Sequence, residues 1–324
     1  MRESISVPTR RWRWIPAALL VPPLLTLGLP HAGAQTTEPF QATLIAAGDI
    51  ATCSDVGDEA TAALIDSMPG TVLALGDLAY EDGSKEDFDD CYAPTWGRFK
   101  DRTKPALGNH EYNQKGAGPY FDYFGAAAGD RTKGYYSFDI GPWHLISLNS
   151  NCSDAGGCSR GSPMEQWLRQ DLAATSAQCV LAFWHHPRFY TPSKQPTTAK
   201  LEATDRKMSA FWMALMEYGA DLVVNGHRHT YERFARQDAQ GNGDPNGVRQ
   251  FVVGTGGGPF DRYEASAAPN SEIRQAGVHG VLQMTLRPDG YDWRFAPVAG
   301  ETFTDSGTDT CTPARAPQPA PPPA

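Results

Sequence analysis

Five short apolar runs in this chain each stop at side chains able to bind a metal ion. The run ATLIAA (residues 42–47) leads into Gly-Asp with Asp49, TVLAL (71–75) into GDLAY with Asp77 and Tyr80, and KPAL (104–107) into GNHE with Asn109, His110 and Glu111. CVLAFW (179–184) leads into HHP with His185 and His186, and DLVV (221–224) into NGHRH with His227 and His229. Runs of this length and composition read as buried strands, and in open α/β sheets ligands gather beyond the carboxyl ends of strands. One such ending is an ordinary turn or helix cap. Five, offering Asp, Asn, His and Tyr but never Cys, describe an oxygen and nitrogen cage for hard to borderline metals. Glycines before Asp49, Asp77, Asn109 and His227 allow the tight turns that bring backbone and side chain close to an ion. In extended chain, positions i and i+2 share a face, so His227 and His229 are able to converge.

Further strands are expected at 135–140, 143–149, 231–236, 249–253, 278–286 and 291–296, with helices near Asp58–Ser67, Met164–Ala173 and Thr204–Tyr218. Strands alternating with helices call for a sheet buried by helices. The strand-rich second half adds a second sheet packed on the first, all within one domain.

The N-terminus reads as an export signal, with Arg10, Arg11 and Arg13, an apolar stretch over 15–29 and AGA at 32–34. Cleavage near Ala34 would leave a catalytic domain over 35–311 and a proline-rich tail over 312–324, in a secreted or envelope protein. The arginines at 10–11 leave the twin-arginine route open beside the general one. Of 28 basic and 37 acidic residues, loss of four Arg and one Glu leaves 24 and 36, a formal charge of −12. Such a surface repels anionic polymers, so neither a nucleic acid nor a membrane surface is expected as a partner. Six cysteines in an exported chain favour disulfides, and the short loop CSDAGGC favours Cys152 with Cys158. The remaining pairings stay open, and no C-x-x-C supports zinc.

The ordered set D, G-D-x-x-Y, G-N-H-E, His before x-Pro and G-H-x-H resembles the calcineurin-like metallophosphoesterases, and among them the purple acid phosphatases. Most calcineurin-like enzymes carry D-x-H at the first motif; here Ile50 and Ala51 follow Asp49, and Tyr80 supplies the replacement, as in the purple subgroup. The resemblance implies an α/β fold, a four-layer α/β/β/α sandwich of two mixed sheets flanked by helices. It implies two metal ions: Asp49, Tyr80 and His229 on one, Asn109, His185 and His227 on the other, and Asp77 bridging. A phenolate ligand favours Fe(III) at the Tyr80 site, with Fe(II), zinc or manganese at the second. Hydroxide generated on the metals would attack phosphorus, His110 would protonate the leaving alkoxide, and Glu111 would tune that imidazole. His186, Arg188 and Lys194 are candidate substrate contacts; Lys194 and Gln195 stand where the subgroup often has a further histidine.

The function expected is therefore hydrolysis of small phosphomonoesters by an exported enzyme. A phosphodiesterase on the same metals and a catalytically silent metal-binding envelope protein are the alternatives. GTGGGP (254–259) lacks the Lys-Ser/Thr ending of a phosphate loop and reads as a backbone turn at the site rim. His144 and His279 read as satisfied sheet residues, Trp167 and Trp212 as core. NCS (151–153) is a glycosylation sequon.

Overall fold

The computed structural model describes residues 1, 8–14, 39–54, 56–192, 207–263 and 266–312. The leader up to Ala34, Lys194 and the tail beyond 312 lie outside them, Met1 and Pro8–Trp14 excepted. The chain divides into an N-terminal unit, Met1–Glu38, and a body, Pro39–Ala324, and every described strand and helix lies in the body. No helix among the described residues is long and apolar enough to cross a membrane.

Two mixed sheets form the body. The first contains β1 (Ala42–Ala47), β2 (Thr71–Leu75), β3 (Thr103–Ala106), β11 (Gly280–Arg287), β12 (Gly290–Pro297) and β13 (Ser306–Thr310), in the order β13-β12-β11-β1-β2-β3. The second contains β4 (Tyr136–Ile140), β5 (Trp143–Ser147), β6 (Cys179–Phe183), β7 (Leu222–Asn225), β8 (Thr230–Phe234), β9 (Arg249–Val253) and β10 (Ser271–Ala276), in the order β10-β8-β9-β7-β6-β5-β4. Strands β1, β2 and β3 run parallel, as do β5, β6, β7 and β9; the others pair antiparallel.

Alternation along the central strands sorts the core into two layers. On β6, Leu181 and Phe183 join the apolar mass shared with the first sheet, including Leu44, Leu75 and Leu282. The intervening Val180 and Ala182 pack with Leu168, Leu172, Phe211 and Leu215 on the outer helices. Those helices are α3 (Pro163–Ala174) and α4 (Ser209–Glu217). Removing a side chain such as Leu215 from that layer costs about 2–5 kcal/mol. Helix α3 starts where the sequence dictates: Ser162 caps the N–H of Glu165, with Pro163 at the first turn. Helix α1 (Gly57–Asp66) buries Ala62 and Ile65 in the first layer and carries Asp58 and Glu59 at its positive end.

The architecture is the expected one, with several elements the sequence reading lacked. Strands β10 (SEIRQA) and β13 (SGTDT) are half-exposed sheet edges, which need no apolar alternation and so leave no periodic signal. Helix α2 (Gly118–Phe124), GPYFDYF, is a short aromatic turn of helix. Disulfides join Cys152 to Cys158, as the loop length favours, and also Cys53 to Cys91 and Cys179 to Cys311.

Candidate metal centre

The carboxyl ends of β1, β2 and β3 in one sheet and of β6 and β7 in the other open onto the same place. Beyond the strands, the β1 and β2 loops stay paired: Asp49 N–H donates to the Gly76 carbonyl at 3.0 Å, and Ile50 N–H to that of Asp77 at 2.9 Å. Asp49, Asp77 and His227 all adopt positive φ (59°, 50° and 68°). Non-glycine residues held there cluster at functional sites, where the surroundings over-determine them. The neighbouring glycines permit the approach. A Cβ on Gly108 would stand 2.1 Å from the Asp77 nitrogen and Oδ1, and one on Gly76 2.7 Å from His185 Nδ1.

Each aspartate spends one oxygen on backbone and turns the other inward. Asp49 Oδ2 accepts the His227 N–H at 2.7 Å, leaving Oδ1 3.1 Å from the Tyr80 hydroxyl and 3.2 Å from His229 Nε2. Tyr80 Oη is in turn 3.1 Å from His229 Nε2. Asp77 Oδ1 accepts the His110 N–H at 2.9 Å; its Oδ2 lies 3.1 Å from His185 Nε2 and 3.4 Å from Tyr80 Oη. His185 Nε2 is also 3.2 Å from Asn109 Oδ1 and 3.2 Å from His227 Nδ1. Seven atoms thus form two groups, Asp49/Tyr80/His229 and Asn109/His185/His227, with Asp77 Oδ2 between them.

Tautomers show that this set fits cations. His185 Nδ1 faces the Leu75 carbonyl at 2.9 Å and His229 Nδ1 faces that of Pro259, so both Nδ1 atoms carry hydrogen. Each neutral ring then aims an Nε2 lone pair at a carboxylate oxygen that is itself an acceptor, Asp77 Oδ2 for His185 and Asp49 Oδ1 for His229. A metal ion relieves such convergence and displaces the protons that would otherwise occupy it. In the metal-free chain protons do bind. Burial opposes charging His185 and His229, but Asp77 and Asp49 outweigh it and bring each up to about 9. Burial likewise opposes ionisation of Asp77, yet His185 and His110 hold its carboxyl well below the usual range. Burial, then His186 and His185, push His227 well below its ordinary value. Burial and then Asp49 push the Tyr80 phenol far up, a field that a bound cation inverts.

The remaining expected residues separate. His110 stands at the edge of the cluster, its ring 4.4 Å from that of Tyr80 and its Nε2 3.9 Å from Asp77 Oδ2. Its Nδ1 faces the Glu81 carbonyl, leaving Nε2 toward the cluster. Glu111 corrects the reading that it tunes His110. It is fully buried and accepts the backbone N–H of Asp77 (3.0 Å), Gly108 (2.7 Å) and Leu78 (2.7 Å), bracketing the β2 and β3 loops together. Burial, then Asp77, push its carboxyl up to about 7 against those donors. His186 packs its ring 4.2 Å from that of His227, with Nδ1 2.8 Å from Ser150 Oγ; burial, then His185, push it down to about 3. Arg188 donates to the Ala239 carbonyl at 3.1 Å and lies over the Phe189 ring, so its guanidinium engages the β8–β9 loop.

Three contributors escaped the sequence reading. Ser150, beyond β5, holds His186; Pro259 holds His229; and Asn151 donates to the Gly108 carbonyl at 3.1 Å. That bond, with 8% exposure, removes Asn151 from use as a glycan acceptor in the folded chain. The glycine-rich stretch is the rim turn expected, its Gly258 N–H donating to the Asp49 carbonyl at 2.8 Å. His144 is satisfied by Asp139 (2.7 Å) and Asp171 (2.8 Å), whereas His279 precedes β11 and faces the Gly258 carbonyl at 2.9 Å. Cys179, Asp221 and Cys311 also cluster, but their sulfurs form a disulfide and offer no thiolate.

The family model of the calcineurin-like phosphoesterases matches residues 43–231, more than half of the chain, and the chain belongs to that family. Within it, the similarity is to plant purple acid phosphatases. The chain is 26% identical to purple acid phosphatase 15 of Arabidopsis thaliana over 65% of its own length and 45% of that protein's. Purple acid phosphatase PPD1 from yellow lupin (Lupinus luteus) seeds superposes with a TM-score of 0.70 at 16% identity, over 84% of this chain and 54% of that one. GAP50, the anchor in the inner membrane complex of Plasmodium, gives 0.60 at 12% identity, over 85% and 90%. The two structures share the fold. The chain spans about half the length of the curated relatives it matches.

Proposed function

We propose that this chain hydrolyses small phosphomonoesters at a pair of metal ions, as an exported enzyme of purple acid phosphatase type. The observation that carries the reading is Asp77 Oδ2, 3.1 Å from one donor group and 3.4 Å from the other, the position of a bridging ligand. Asp49, Tyr80 and His229 would hold Fe(III), and Asn109, His185 and His227 a divalent iron, zinc or manganese. Bound there, such a pair supplies Lewis acidity toward phosphoryl oxygens and acidifies water.

The protein's own residues do the rest. Asp49 Oδ2 and Asp77 Oδ1 stay on backbone N–H groups, so the inward oxygens hold their aim without reorganisation. The Leu75 and Pro259 carbonyls keep the His185 and His229 lone pairs on the cluster. His110, as the imidazolium with its Nδ1–H on the Glu81 carbonyl, hands the Nε2 proton to the departing alkoxide and is left as the neutral Nδ1–H tautomer. Three disulfides suit an oxidising compartment, which supports export.

Metal analysis with a visible spectrum tests the proposal. Two metals per chain and a tyrosinate-to-iron charge-transfer band that vanishes in Tyr80→Phe are expected, with faster turnover of an aryl monoester than of the bis-aryl diester. A fully metallated protein inert toward all phosphoesters would refute it, and a diester preference would reassign the substrate class.

A further inference from the structure

Among the described residues of the body, two large apolar side chains stand exposed, Val56 at 73% and Phe260 at 50%. Singly exposed apolar residues need no explanation, but Phe260 is seated on an imidazole. The Phe260 ring lies over His279, centroids 4.2 Å apart and planes at 32°. Gly57, next to Val56, approaches the same ring so closely that a Cβ there would stand 2.4 Å from His279 Cε1. His279 is itself anchored, its Nε2 2.9 Å from the Gly258 carbonyl. The phenyl ring is therefore a supported plane.

Covalent neighbours set its place relative to the metal cluster. Pro259 accepts from His229 Nδ1, and Gly258 donates to the Asp49 carbonyl. A Cβ on Gly258 would stand 3.4 Å from Tyr80 Cε2, while His110 lies against the same tyrosine ring at 4.4 Å. The proton donor and the Phe260 segment thus border one residue, Tyr80.

We propose that the exposed face of Phe260 is the subsite for the leaving group, selecting alcohols that carry a planar aromatic ring. The inference rests on the phosphoesterase reading. A flat ring laid on the phenyl face gains offset stacking and covers apolar surface, which a small aliphatic alcohol cannot do. Polar groups close the rim: Asp261 pairs with Arg228 at 3.2 Å, and Arg262 is exposed.

Adenosine 5′-monophosphate and ribose 5-phosphate test this, because the broken ester is the same and only the ring differs. The wild-type holoenzyme should favour the nucleotide by about 3- to 10-fold in kcat/KM, mostly through KM. Phe260→Ala should erase that preference with ribose 5-phosphate turnover unchanged, and Phe260→Trp should restore it. Equal use of both esters by the wild type, or a preference that survives Phe260→Ala, overturns the subsite while leaving the phosphoesterase reading intact. So does an equal loss on both substrates, with or without a change in gel-filtration size, which would mark Phe260 as a packing contact. A wild type inert toward every phosphoester overturns both readings together.

Discussion

Replacing Asp58 by Asn should make the protein more stable at alkaline pH and leave it unchanged in acid. Asp58 sits in the first turn of α1 with 1% exposure; its Oδ2 accepts the Thr95 hydroxyl at 2.9 Å, while the buried Oδ1 has no hydrogen-bond partner among the described residues. Burial raises its carboxyl from 3.8 to about 7, with Thr95 opposing and Glu59 adding to the rise. The folded chain therefore holds the proton over a range where the unfolded chain has lost it. The stability this contributes is complete below pH about 4, falls as pH rises, and is gone above about 7. A shift of this size corresponds to about 4 kcal/mol at most, and relaxation around the charge leaves about 2–4 kcal/mol. Asn keeps the acceptor for Thr95 and cannot ionise. Urea unfolding with disulfides intact and a chelator present, so that metal binding does not contribute, should give equal stabilities at pH 4. At pH 8 the variant should lead by about 2–4 kcal/mol. A difference that does not grow with pH, or a variant less stable at pH 8, would refute the account of Asp58 as a buried, proton-holding acid.

His110→Ala should keep full metal content while turnover of esters with poor leaving groups falls about 10²–10⁴-fold, and activated aryl esters suffer less. Equal losses on both would remove His110 as the proton donor. Glu111→Ala strands three buried N–H groups across the β2 and β3 loops, so metal affinity measured by competition with a chelator should drop about 10- to 100-fold. Unaltered affinity with a displaced pH–rate profile would return Glu111 to the role of partner of His110. Gly108→Ala drives a Cβ to 2.1 Å from the Asp77 backbone and carboxylate, and should cost about 3 kcal/mol or more together with the bridging ligand, read as metal lost on purification. A stable, fully metallated variant would show that the two loops are not in the contact described.

Much of the fold was legible because central strands carry their own signal. ATLIAA, TVLAL and CVLAF are apolar on both faces since each is sandwiched between layers, and they appear within a residue or so of their expected bounds. Edge strands β10 and β13 half face solvent, so their polar sequences resemble loops until a neighbour pairs with them. Around the metals, donor types were readable because a metal demands particular atoms. Ser150 and Pro259 were not, since a hydroxyl or a carbonyl that orients a histidine needs no special residue type. Glu111 was misplaced for a related reason: adjacency to His110 in the chain implied contact, whereas the turn after β3 sends the two side chains to different partners.

What the residues alone determined is a chemical inventory: five strand ends bearing oxygen and nitrogen donors, and a tyrosine in place of a missing histidine. Those are local properties, carried by side-chain type and the glycine beside it. Only the tertiary structure decided that three ends from one sheet and two from the other meet, and which oxygen of Asp49 and Asp77 faces inward. It likewise set which nitrogen of His185 and His229 carries the lone pair. Each of those outcomes is set by hydrogen bonds between side chains and backbone of loops far apart in sequence, and two of them, His227 N–H to Asp49 Oδ2 and His185 Nδ1 to the Leu75 carbonyl, exist only once the two sheets have packed.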